Sequence, residues 1–289
     1  MRFRITHTTD YRYEHPASEA YVEARLTPED RPGQRVLDHD IVFEPAAPVS
    51  CYKDYFGNPV AFYSMVKRHE RLTVTNRMLV ETSPLQLPED AMNLSVGETR
   101  QIFSSVATEV FDFLRSTEAV PTGGESIKWA RRFLPADGTL RDALAALNTA
   151  VHREFKYTQG ATDNWTPLAD IWKARAGVCQ DFAHIMLSIL RTTGLPARYV
   201  CGYIETDAPA GGRRLVGAVA THAWVEVLVP GMHWVSLDPT NNQWCGQRHV
   251  AVSFGRDFSD ATPLRGTFKG SGGQKMSVKV LMKREDKTP

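Results

Sequence analysis

The segment Gly177-Val178-Cys179-Gln180-Asp181-Phe182-Ala183-His184 joins a glycine turn directly to a run of apolar residues at helical spacing. This pattern predicts a helix from about Cys179 to Thr193, ended by Gly194-Leu195-Pro196, because glycine and proline are common helix stops. The thiol of Cys179 then lies in the first helical turn, where unpaired backbone N–H groups and the positive end of the helix dipole stabilise a thiolate. We expect Asp181 to point away from the sulfur, since a facing carboxylate would oppose thiolate formation.

A cysteine in this position is suited to nucleophilic catalysis. Free cysteine has a pKa near 8.5, so only a few per cent of it is thiolate at neutral pH unless its surroundings favour the anion. An adjacent imidazole would add to the effect of the helix terminus. The same N–H groups can bind the oxyanion that forms when a thiolate attacks an acyl carbonyl. Cys179 is therefore the predicted nucleophile, and an inert buried thiol is the alternative.

Two alternating segments further along the chain supply a base and a carboxylate. Residues 221–227 and 234–240 have the pattern of strands, and Pro230-Gly231 between them indicates a hairpin turn. Side chains that face each other in such a hairpin have Cβ atoms about 4.5 to 5.5 Å apart. The first strand carries His222 and the second carries Asp238. We predict that His222 accepts the thiol proton and that Asp238 holds the other imidazole nitrogen.

The register of this hairpin decides which side chains share a face. With Pro230 at the centre of the loop, His222 lies opposite Asp238 and Glu226 lies opposite Trp234. Any even shift of register keeps the histidine and the aspartate on one face. The other face of both strands is apolar and is the predicted core. We expect the helix that carries Cys179 to cover the polar face.

The chain divides by pattern into three parts. Residues 1–98 contain short alternating runs separated by turn residues, which predict an antiparallel β-sandwich or barrel-like domain. Residues 99–265 begin with segments of helical spacing and continue with strands, an α+β pattern in which helices pack on an antiparallel sheet. Residues 266–289 hold a glycine-rich linker and a final strand. The predicted helices are Ile102–Glu118, Ser126–Leu134, Thr139–Phe155, Leu168–Ala174 and Cys179–Thr193.

The composition excludes several classes of protein. The 289 residues have a formal net charge of only +1, so no overall field attracts nucleic acid or an anionic membrane. The sequence shows no apolar run long enough for a membrane span and no secretory signal, and we expect a cytoplasmic protein. The 4 cysteines are irregularly spaced, which predicts free thiols. We expect neither a metal nor another cofactor, since no cysteine or histidine pair has metal-ligand spacing.

Four segments together resemble the bacterial transglutaminase-like proteins, which are often named as cysteine proteases. This family has a β-rich N-terminal domain followed by a transglutaminase-like core with a papain-related Cys-His-Asp triad, and the resemblance spans nearly the whole chain. The segments that carry it are Gly177-Val178-Cys179-Gln180-Asp181-Phe182-Ala183-His184, Gly194-Leu195-Pro196-Ala197-Arg198-Tyr199-Val200, Thr221-His222-Ala223-Trp224 and Leu237-Asp238-Pro239-Thr240-Asn241.

The resemblance implies a role for each matched residue. By motif, Cys179 is the nucleophile, His222 the base and Asp238 the orienting acid of a thiol-dependent acyl-transfer enzyme. Its substrate would be a peptide or protein, joined by an amine acceptor if the acyl group is transferred. Animal-type transglutaminases have a tryptophan directly after the cysteine, whereas this chain has Gln180. Amide or peptide hydrolysis is therefore the leading hypothesis.

Two other functions remain as alternatives. One is amine transfer to protein glutamine, as in transglutaminases, and the other is a non-catalytic interaction module on the same fold. An arylamine N-acetyltransferase-like reading fits less well, because the N-terminal region is rich in strands rather than helices. A non-catalytic module would be expected to have lost a triad member, and the sequence retains all three.

Four further residues are candidates for the edge of the site. Tyr157 and Trp165, in the loop before the catalytic helix, could supply an oxyanion donor or a substrate wall, or pack in the core. Gln180 could border the cleft or simply be exposed in the first helical turn. Trp224 shares a strand face with His222 and could line the cleft or cover the triad.

Overall fold

The computed structural model describes residues 1–206, 215–216 and 220–285. Strands dominate both ends of the described chain, and helices occupy its middle. The strands are β1 (Arg2–Ala17), β2 (Glu19–Ala24), β3 (Gln34–Glu44), β4 (Val49–Lys53), β5 (Pro59–Met65), β6 (His69–Thr82), β7 (Lys156–Tyr157), β8 (Ala176–Gly177), β9 (Ala197–Ile204), β10 (His222–Val229), β11 (His233–Asp238), β12 (Gln243–Trp244), β13 (His249–Gly255), β14 (Leu264–Lys269) and β15 (Gln274–Glu285).

The helices lie almost entirely between the two strand-rich regions. They are α1 (Glu89–Asn93), α2 (Val96–Ser105), α3 (Glu125–Phe133), α4 (Leu140–Glu154), α5 (Leu168–Ala174), α6 (Cys179–Thr193) and α7 (Phe258–Ala261). Helix α6 begins and ends at the residues that the sequence predicts, and Gly194 caps it in the left-handed conformation. Within the described residues, no helix combines the length and the apolar character needed to cross a membrane.

The predicted helix Ile102–Glu118 is wrong at both ends. The observed helix α2 starts earlier, because Ser95 and Glu98 form a capping box at its N-terminus. It stops at Ser105, and the chain then continues through turns and one 3-10 turn at Phe111–Phe113. The apolar residues that follow α2 belong to a small cluster around Phe103, Val110 and Leu228. These apolar residues are therefore spaced to pack around a turn, and their spacing in the sequence resembles that of a helix.

Two four-stranded antiparallel sheets form the N-terminal β-sandwich, as the sequence predicts. One has the order β15-β1-β6-β3 and the other the order β14-β2-β5-β4. Their facing side chains form a core that includes Val22, Tyr63, Leu72 and Val74. Each sheet has one strand from the C-terminal end of the chain at its edge, so the sandwich is completed by residues more than 180 positions away from its other strands.

The C-terminal region differs from the predicted linker. Residues 264–269 form strand β14 along β2, so that only the glycine-rich turn around residues 270–273 remains outside the strands. The final strand is longer than predicted and pairs with β1 from Arg2 to Tyr13. Residues 286–289, the end of the predicted segment, lie outside the described residues. The boundaries predicted between the three parts of the chain, at residues 98 and 265, remain a prediction.

The second half of the chain is an α+β core, which confirms the predicted fold class. Its five-stranded antiparallel sheet has the order β12-β11-β10-β9-β13. Helix α6 is buried along nearly its whole length between this sheet and the other helices. Its apolar side chains share one core with Ala223, Val225 and Val227 of β10. The sheet therefore presents the odd-numbered face of β10 to α6.

This arrangement corrects two expectations about the hairpin. Glu226 pairs with Ser236 rather than Trp234, so the register is shifted by two residues. The reason is that Pro230 starts the turn, where its fixed φ fits, while Gly231 and Met232 take positive φ. The shift is even, so histidine and aspartate keep a common face. That face is not covered by α6, which packs on the apolar side of the sheet.

The sandwich packs against strands β9 and β13 of the core sheet. Phe3 and Ile5 of β1 pack against Tyr203, Val250 and Val252 of the core. Close by, the side chain of Gln34 forms paired hydrogen bonds with the backbone of Ala251, at 2.9 and 2.8 Å. The two halves therefore share a buried, specifically hydrogen-bonded interface.

Candidate active site

The N-terminus of α6 is shaped by a short network around Cys179, the first residue of the helix. Asp181 turns its carboxylate back to accept the Val178 N–H at 2.7 Å and the Thr162 hydroxyl at 2.6 Å. A Cβ atom at Gly177 would lie 2.4 Å from the Asp181 oxygen, so this turn requires glycine. Asp181 is buried, and burial raises its pKa. The carboxylate is thus turned toward the backbone, in the direction that the sequence analysis expects.

His222 and Asp238 lie together at the end of the core sheet. Nε2 of His222 is 2.9 Å from Oδ2 of Asp238, and both side chains are 0% exposed. Burial alone would lower the pKa of His222, but the charge and hydrogen bond of Asp238 and the nearby Cys179 thiol outweigh it and raise that pKa. The same pair lowers the pKa of Asp238 against the effect of burial. A charged imidazole beside a carboxylate is therefore favoured at neutral pH.

The other imidazole nitrogen is left for the thiol. Nδ1 of His222 is buried and has no hydrogen-bond partner of ordinary geometry. After Asp238, the neighbouring Cys179 is the other group that raises the pKa of His222. The Cys179 side chain is partly exposed and lines the same cavity as His222. The ring is thus held between a carboxylate on one side and an accessible thiol on the other.

Two residues that contact Asp238 were not predicted from the sequence. The Asn241 side chain donates to Oδ2 of Asp238 at 2.7 Å, and its backbone N–H donates to Oδ1 at 3.1 Å. Nε2 of His249 lies 3.2 Å from the same Oδ2. Asn241 stands three residues after Asp238 in a turn motif, and that spacing could have predicted its contact. His249, a lone histidine at the start of β13, gave no comparable signal.

The tautomer of His249 follows from its two contacts. Its Nδ1 accepts a hydrogen bond from the Gly246 N–H at 3.4 Å, so the proton is on Nε2 and points to Asp238. Burial lowers the pKa of His249, and the charge of Asp238 does not offset this. The ring is therefore neutral and acts as a hydrogen-bond donor. The Trp224 ring packs edge-on against it, with ring centroids 5.3 Å apart.

Among the residues that the structure describes, His222, Asp238 and His249 form the one cluster of side chains that could ligate a metal. One ligand atom from each of His222, Asp238 and His249 lies within 4.8 Å of the others. The nitrogen to oxygen distances of 2.9 and 3.2 Å are those of hydrogen bonds. Zinc would require ligand atoms at about 2.0 to 2.2 Å and the removal of both N–H protons. The donor set therefore fits a hydrogen-bonded carboxylate better than a metal site.

A cavity of about 420 Å³ opens at the thiol. Cys179 and His222 lie on its wall, with Tyr157 and Tyr199 from the core nearby. Its volume is within the range of small-molecule and side-chain binding sites. The far wall comes from the N-terminal sandwich and the C-terminal strands. The candidate nucleophile and base thus face a preformed pocket.

The four secondary candidates separate into two groups. Tyr157 and Gln180 line the cavity. Burial and the neighbouring Cys179 raise the pKa of Tyr157, and Gln180 is buried rather than exposed, donating to the Asn164 carbonyl at 3.1 Å. Trp165 is 77% exposed and lies away from the cavity wall, whereas Trp224 is buried.

Of the two alternatives for Trp224, the structure favours the one in which the ring covers the triad, whereas Trp165 neither lines the cavity nor packs in the core. The Trp224 ring packs beside His222, with centroids 6.2 Å apart, on the face of the sheet opposite α6 and near residues 31–34. It therefore shields the histidine and aspartate from behind. Trp165 lies in a turn stabilised by Asp163 and Thr166, which directs the chain outward. His184 accepts the Phe258 N–H at 3.2 Å, and burial lowers its pKa to about 4.

Comparisons with known proteins agree with this fold. The profile of the bacterial transglutaminase-like N-terminal region matches residues 3–81. That of the transglutaminase-like superfamily matches residues 127–239, which contain Cys179, His222 and Asp238. The N-terminal sandwich and the core thus match separate, adjacent parts of one family architecture.

Two relatives, one matched over most of its length and one over a small part, support the same assignment. Rv2569c, an uncharacterised protein of Mycobacterium tuberculosis, is 36% identical over 278 residues, which cover 92% of this chain and 87% of that protein. A protein-glutamine gamma-glutamyltransferase of Pseudomonas aeruginosa is 37% identical over 99 residues, which cover 33% of this chain and 15% of that protein.

A solved structure shares the whole fold. The crystal structure of a candidate cysteine protease from Cytophaga hutchinsonii superposes with a TM-score of 0.76, over 100% of this chain and 93% of that one, at 19% sequence identity. This similarity extends over the sandwich as well as the core. The chain therefore belongs to the bacterial transglutaminase-like proteins, and its core places it in the transglutaminase-like superfamily of thiol-dependent enzymes.

Proposed function

We propose that this protein hydrolyses amide bonds of peptides or proteins through Cys179, His222 and Asp238. The observation that carries the proposal is the position of the His222 ring. Its Nε2 is bonded to a buried carboxylate at 2.9 Å, its Nδ1 is buried without another partner, and the Cys179 thiol on the wall of the same cavity interacts with the ring. This is the arrangement that nucleophilic catalysis by a thiol requires.

The first half of the reaction forms a thioester. The Nδ1 atom of His222 takes the thiol proton, and Sγ of Cys179 attacks the carbonyl carbon of the amide. The tetrahedral intermediate then collapses as the C–N bond breaks and the protonated His222 gives its proton to the leaving amine. Asp238 keeps the ring in the required tautomer and stabilises its charged form.

The second half releases the acyl group. Water attacks the thioester carbon while His222 takes one of its protons, and the C–S bond breaks to give a carboxylic acid and the free thiol. The backbone N–H groups of the first turn of α6, which carries Cys179 and Gln180, are the proposed oxyanion donors. The cavity lining by Val178, Cys179 and Gln180 supports this position for the oxyanion.

Amine transfer is the second candidate. It is favoured by the match to a protein-glutamine gamma-glutamyltransferase over 99 residues. Hydrolysis is placed first because Gln180 follows the cysteine where animal-type transglutaminases have tryptophan. Both reactions share the thioester, and they differ only in whether water or an amine attacks it.

Alkylation of the protein by iodoacetamide tests the reactive thiol, with Cys51 as an internal reference because it is free and exposed. Peptide mass spectrometry would follow both cysteines between about pH 5.5 and 9. We expect Cys179 to react about tenfold or more faster than Cys51 below pH 7, because a charged His222 favours the thiolate. His222→Ala should remove this difference, and an unchanged ratio in that variant would contradict the proposal.

Acylation by 4-nitrophenyl esters then tests the chemistry. Wild-type protein should release a burst of nitrophenol and gain one acyl group on Cys179, and Cys179→Ala should do neither. Cys51→Ala, which removes an exposed thiol away from the cavity, is the matched control and should behave as wild type. Addition of a primary amine distinguishes the two candidates, since transfer gives an amide product and hydrolysis gives only the acid.

A further inference from the structure

The cavity at Cys179 is closed by the N-terminal sandwich rather than by the catalytic core alone. Strand β1 contributes His7, Thr9 and Tyr11, and strand β15 contributes Met276 and Val278. Thr9 and Val278 are directly paired across these two strands. One patch of a single sheet therefore forms a large part of the cavity wall contributed by the sandwich.

This wall is held in place by the interface between the two halves. Phe3 and Ile5, on the same face of β1 as His7, pack against the core sheet. Arg31 of the sandwich also pairs with the buried Glu226 of β10. The wall is thus part of a fixed interface, and the cavity exists before any substrate binds.

Outside the catalytic pair Cys179 and His222, the described lining of the cavity is uncharged. Apart from His222, its titratable side chains are tyrosines, Cys179 and His7, and no aspartate, glutamate, lysine or arginine lines it in the described ranges. His7 is neutral, because burial lowers its pKa to about 4. Its ring nitrogens are both engaged, by Tyr203 at 2.8 Å and Thr9 at 3.0 Å.

We propose that this patch of β1 and β15 is the specificity pocket for the acyl donor and that it selects uncharged, largely apolar side chains. The proposal rests on the proposed function, because it assumes that an acyl group reaches Cys179. Among the described lining residues a charged side chain would meet no aspartate, glutamate, lysine or arginine, and the charge of His222 is already paired with Asp238. It would therefore lose hydration with little compensation, whereas an aliphatic or aromatic side chain would gain apolar contacts. The N-terminal sandwich then determines which substrates the core can acylate.

A series of acyl esters tests the selectivity without any variant. The probes are 4-nitrophenyl esters of N-acetyl-norleucine, N-acetyl-leucine, N-acetyl-lysine and N-acetyl-glutamate, and the measured quantity is kcat/KM for acylation of Cys179. Norleucine and lysine differ mainly by the terminal charge. We expect norleucine and leucine to react about tenfold or more faster than lysine and glutamate. Equal rates across the series would overturn the inference and leave the proposed function intact.

A charge placed in the wall tests its location. Val278→Asp adds a carboxylate to the pocket, and Ser277→Asp adds the same charge at the neighbouring exposed position, outside the cavity lining. We expect Val278→Asp to shift the lysine to norleucine ratio of kcat/KM about tenfold toward lysine and Ser277→Asp to leave it unchanged. Met276→Asp, at an exposed part of the wall, serves if Val278→Asp does not fold.

The outcomes separate the two proposals. Acylation of Cys179 with the same ratio in both variants would refute the pocket while supporting the enzyme. Absence of acylation by every ester in wild-type protein would refute the proposed function itself. A shift in Val278→Asp or Met276→Asp alone would support both.

Discussion

His249 and His222 share one oxygen of Asp238. Their Nε2 atoms lie 3.2 and 2.9 Å from Oδ2, and a bond from Asn241 at 2.7 Å completes the group. His249 is neutral, whereas His222 is favoured in its positively charged form. Two histidines that contact the same carboxylate therefore differ in protonation state. The difference arises because burial and the charges of His222 and Arg248 lower the pKa of His249, whereas Asp238 and Cys179 together raise that of His222.

His249 is predicted to be a positioning residue for His222. His249→Phe removes the donor and should lower kcat for ester hydrolysis about tenfold with little change in KM, because a freed Asp238 no longer holds the His222 ring in one orientation. The cavity wall does not include His249, so substrate binding should be unaffected.

The control for this variant is His249→Gln, whose amide can still donate to Asp238. It should recover most of the lost kcat, although it does not reproduce the ring. If phenylalanine and glutamine lowered kcat equally, or if KM changed as much as kcat, a positioning role through this hydrogen bond would be ruled out.

Asn241 should be more important for stability than for chemistry. Its side chain donates to Asp238 and also exchanges two hydrogen bonds with the backbone of Val216, at 2.9 and 3.1 Å. Asn241→Asp places a second carboxylate against a buried one and should reduce the free energy of unfolding by about 3 to 5 kcal/mol. Asn241→Ala should cost about 1 to 3 kcal/mol, since it leaves polar groups unpaired without adding charge.

Urea denaturation at pH 7 would measure both Asn241 variants. The critical result is which variant loses more free energy of unfolding. Repulsion with Asp238 should make Asn241→Asp less stable than Asn241→Ala. A more stable Asn241→Asp variant would show that the carboxylate of Asp238 is not charged in the folded protein.

Gly177 should tolerate no side chain. A Cβ atom there would lie 2.4 Å from Oδ2 and 2.8 Å from Cβ of Asp181, which caps the helix that carries Cys179. Gly177→Ala should therefore displace Asp181, lower the free energy of unfolding by about 1 to 3 kcal/mol and slow alkylation of Cys179. Gly246→Ala, where nothing lies within 4 Å, should change neither quantity.

Acid should weaken the contact between sandwich and core at Glu226. Burial alone would raise the pKa of this glutamate, but Arg31 and Arg198 outweigh burial and lower it to about 2. Since the folded pKa is below the unfolded value, the stabilisation is complete above about pH 4.5 and is lost as the pH falls toward 2. The loss from this one group should be about 3 kcal/mol.

Urea midpoints between about pH 6 and 3 measure this dependence. Glu226→Gln should be less stable at neutral pH, because it leaves two arginines uncompensated, and its stability should fall less steeply in acid. Glu118→Gln, at an exposed glutamate, should keep the wild-type slope. Parallel slopes for Glu226→Gln and wild type would contradict the assignment.

Much of the candidate site could be predicted from local sequence. The glycine turn and helical spacing located α6 with Cys179 as its first residue, because helix starts depend on neighbouring residues. The alternation of β10 and β11 put His222 and Asp238 on a common face, since side chains alternate strictly along a strand. The exact register could not be obtained in this way, because it depends on where Pro230 lies in the turn.

The sequence by itself determined the parts of this protein that depend on near neighbours: the catalytic helix, the alternation of its strands and the α+β class of the core. Only the tertiary structure decided which surfaces those parts meet. It brought His249 to Asp238 from another strand, set Trp224 behind the histidine, and placed β1 beside β15 as the wall of the cavity. These contacts join residues far apart in the chain, so no local spacing records them, and they form only when whole sheets pack.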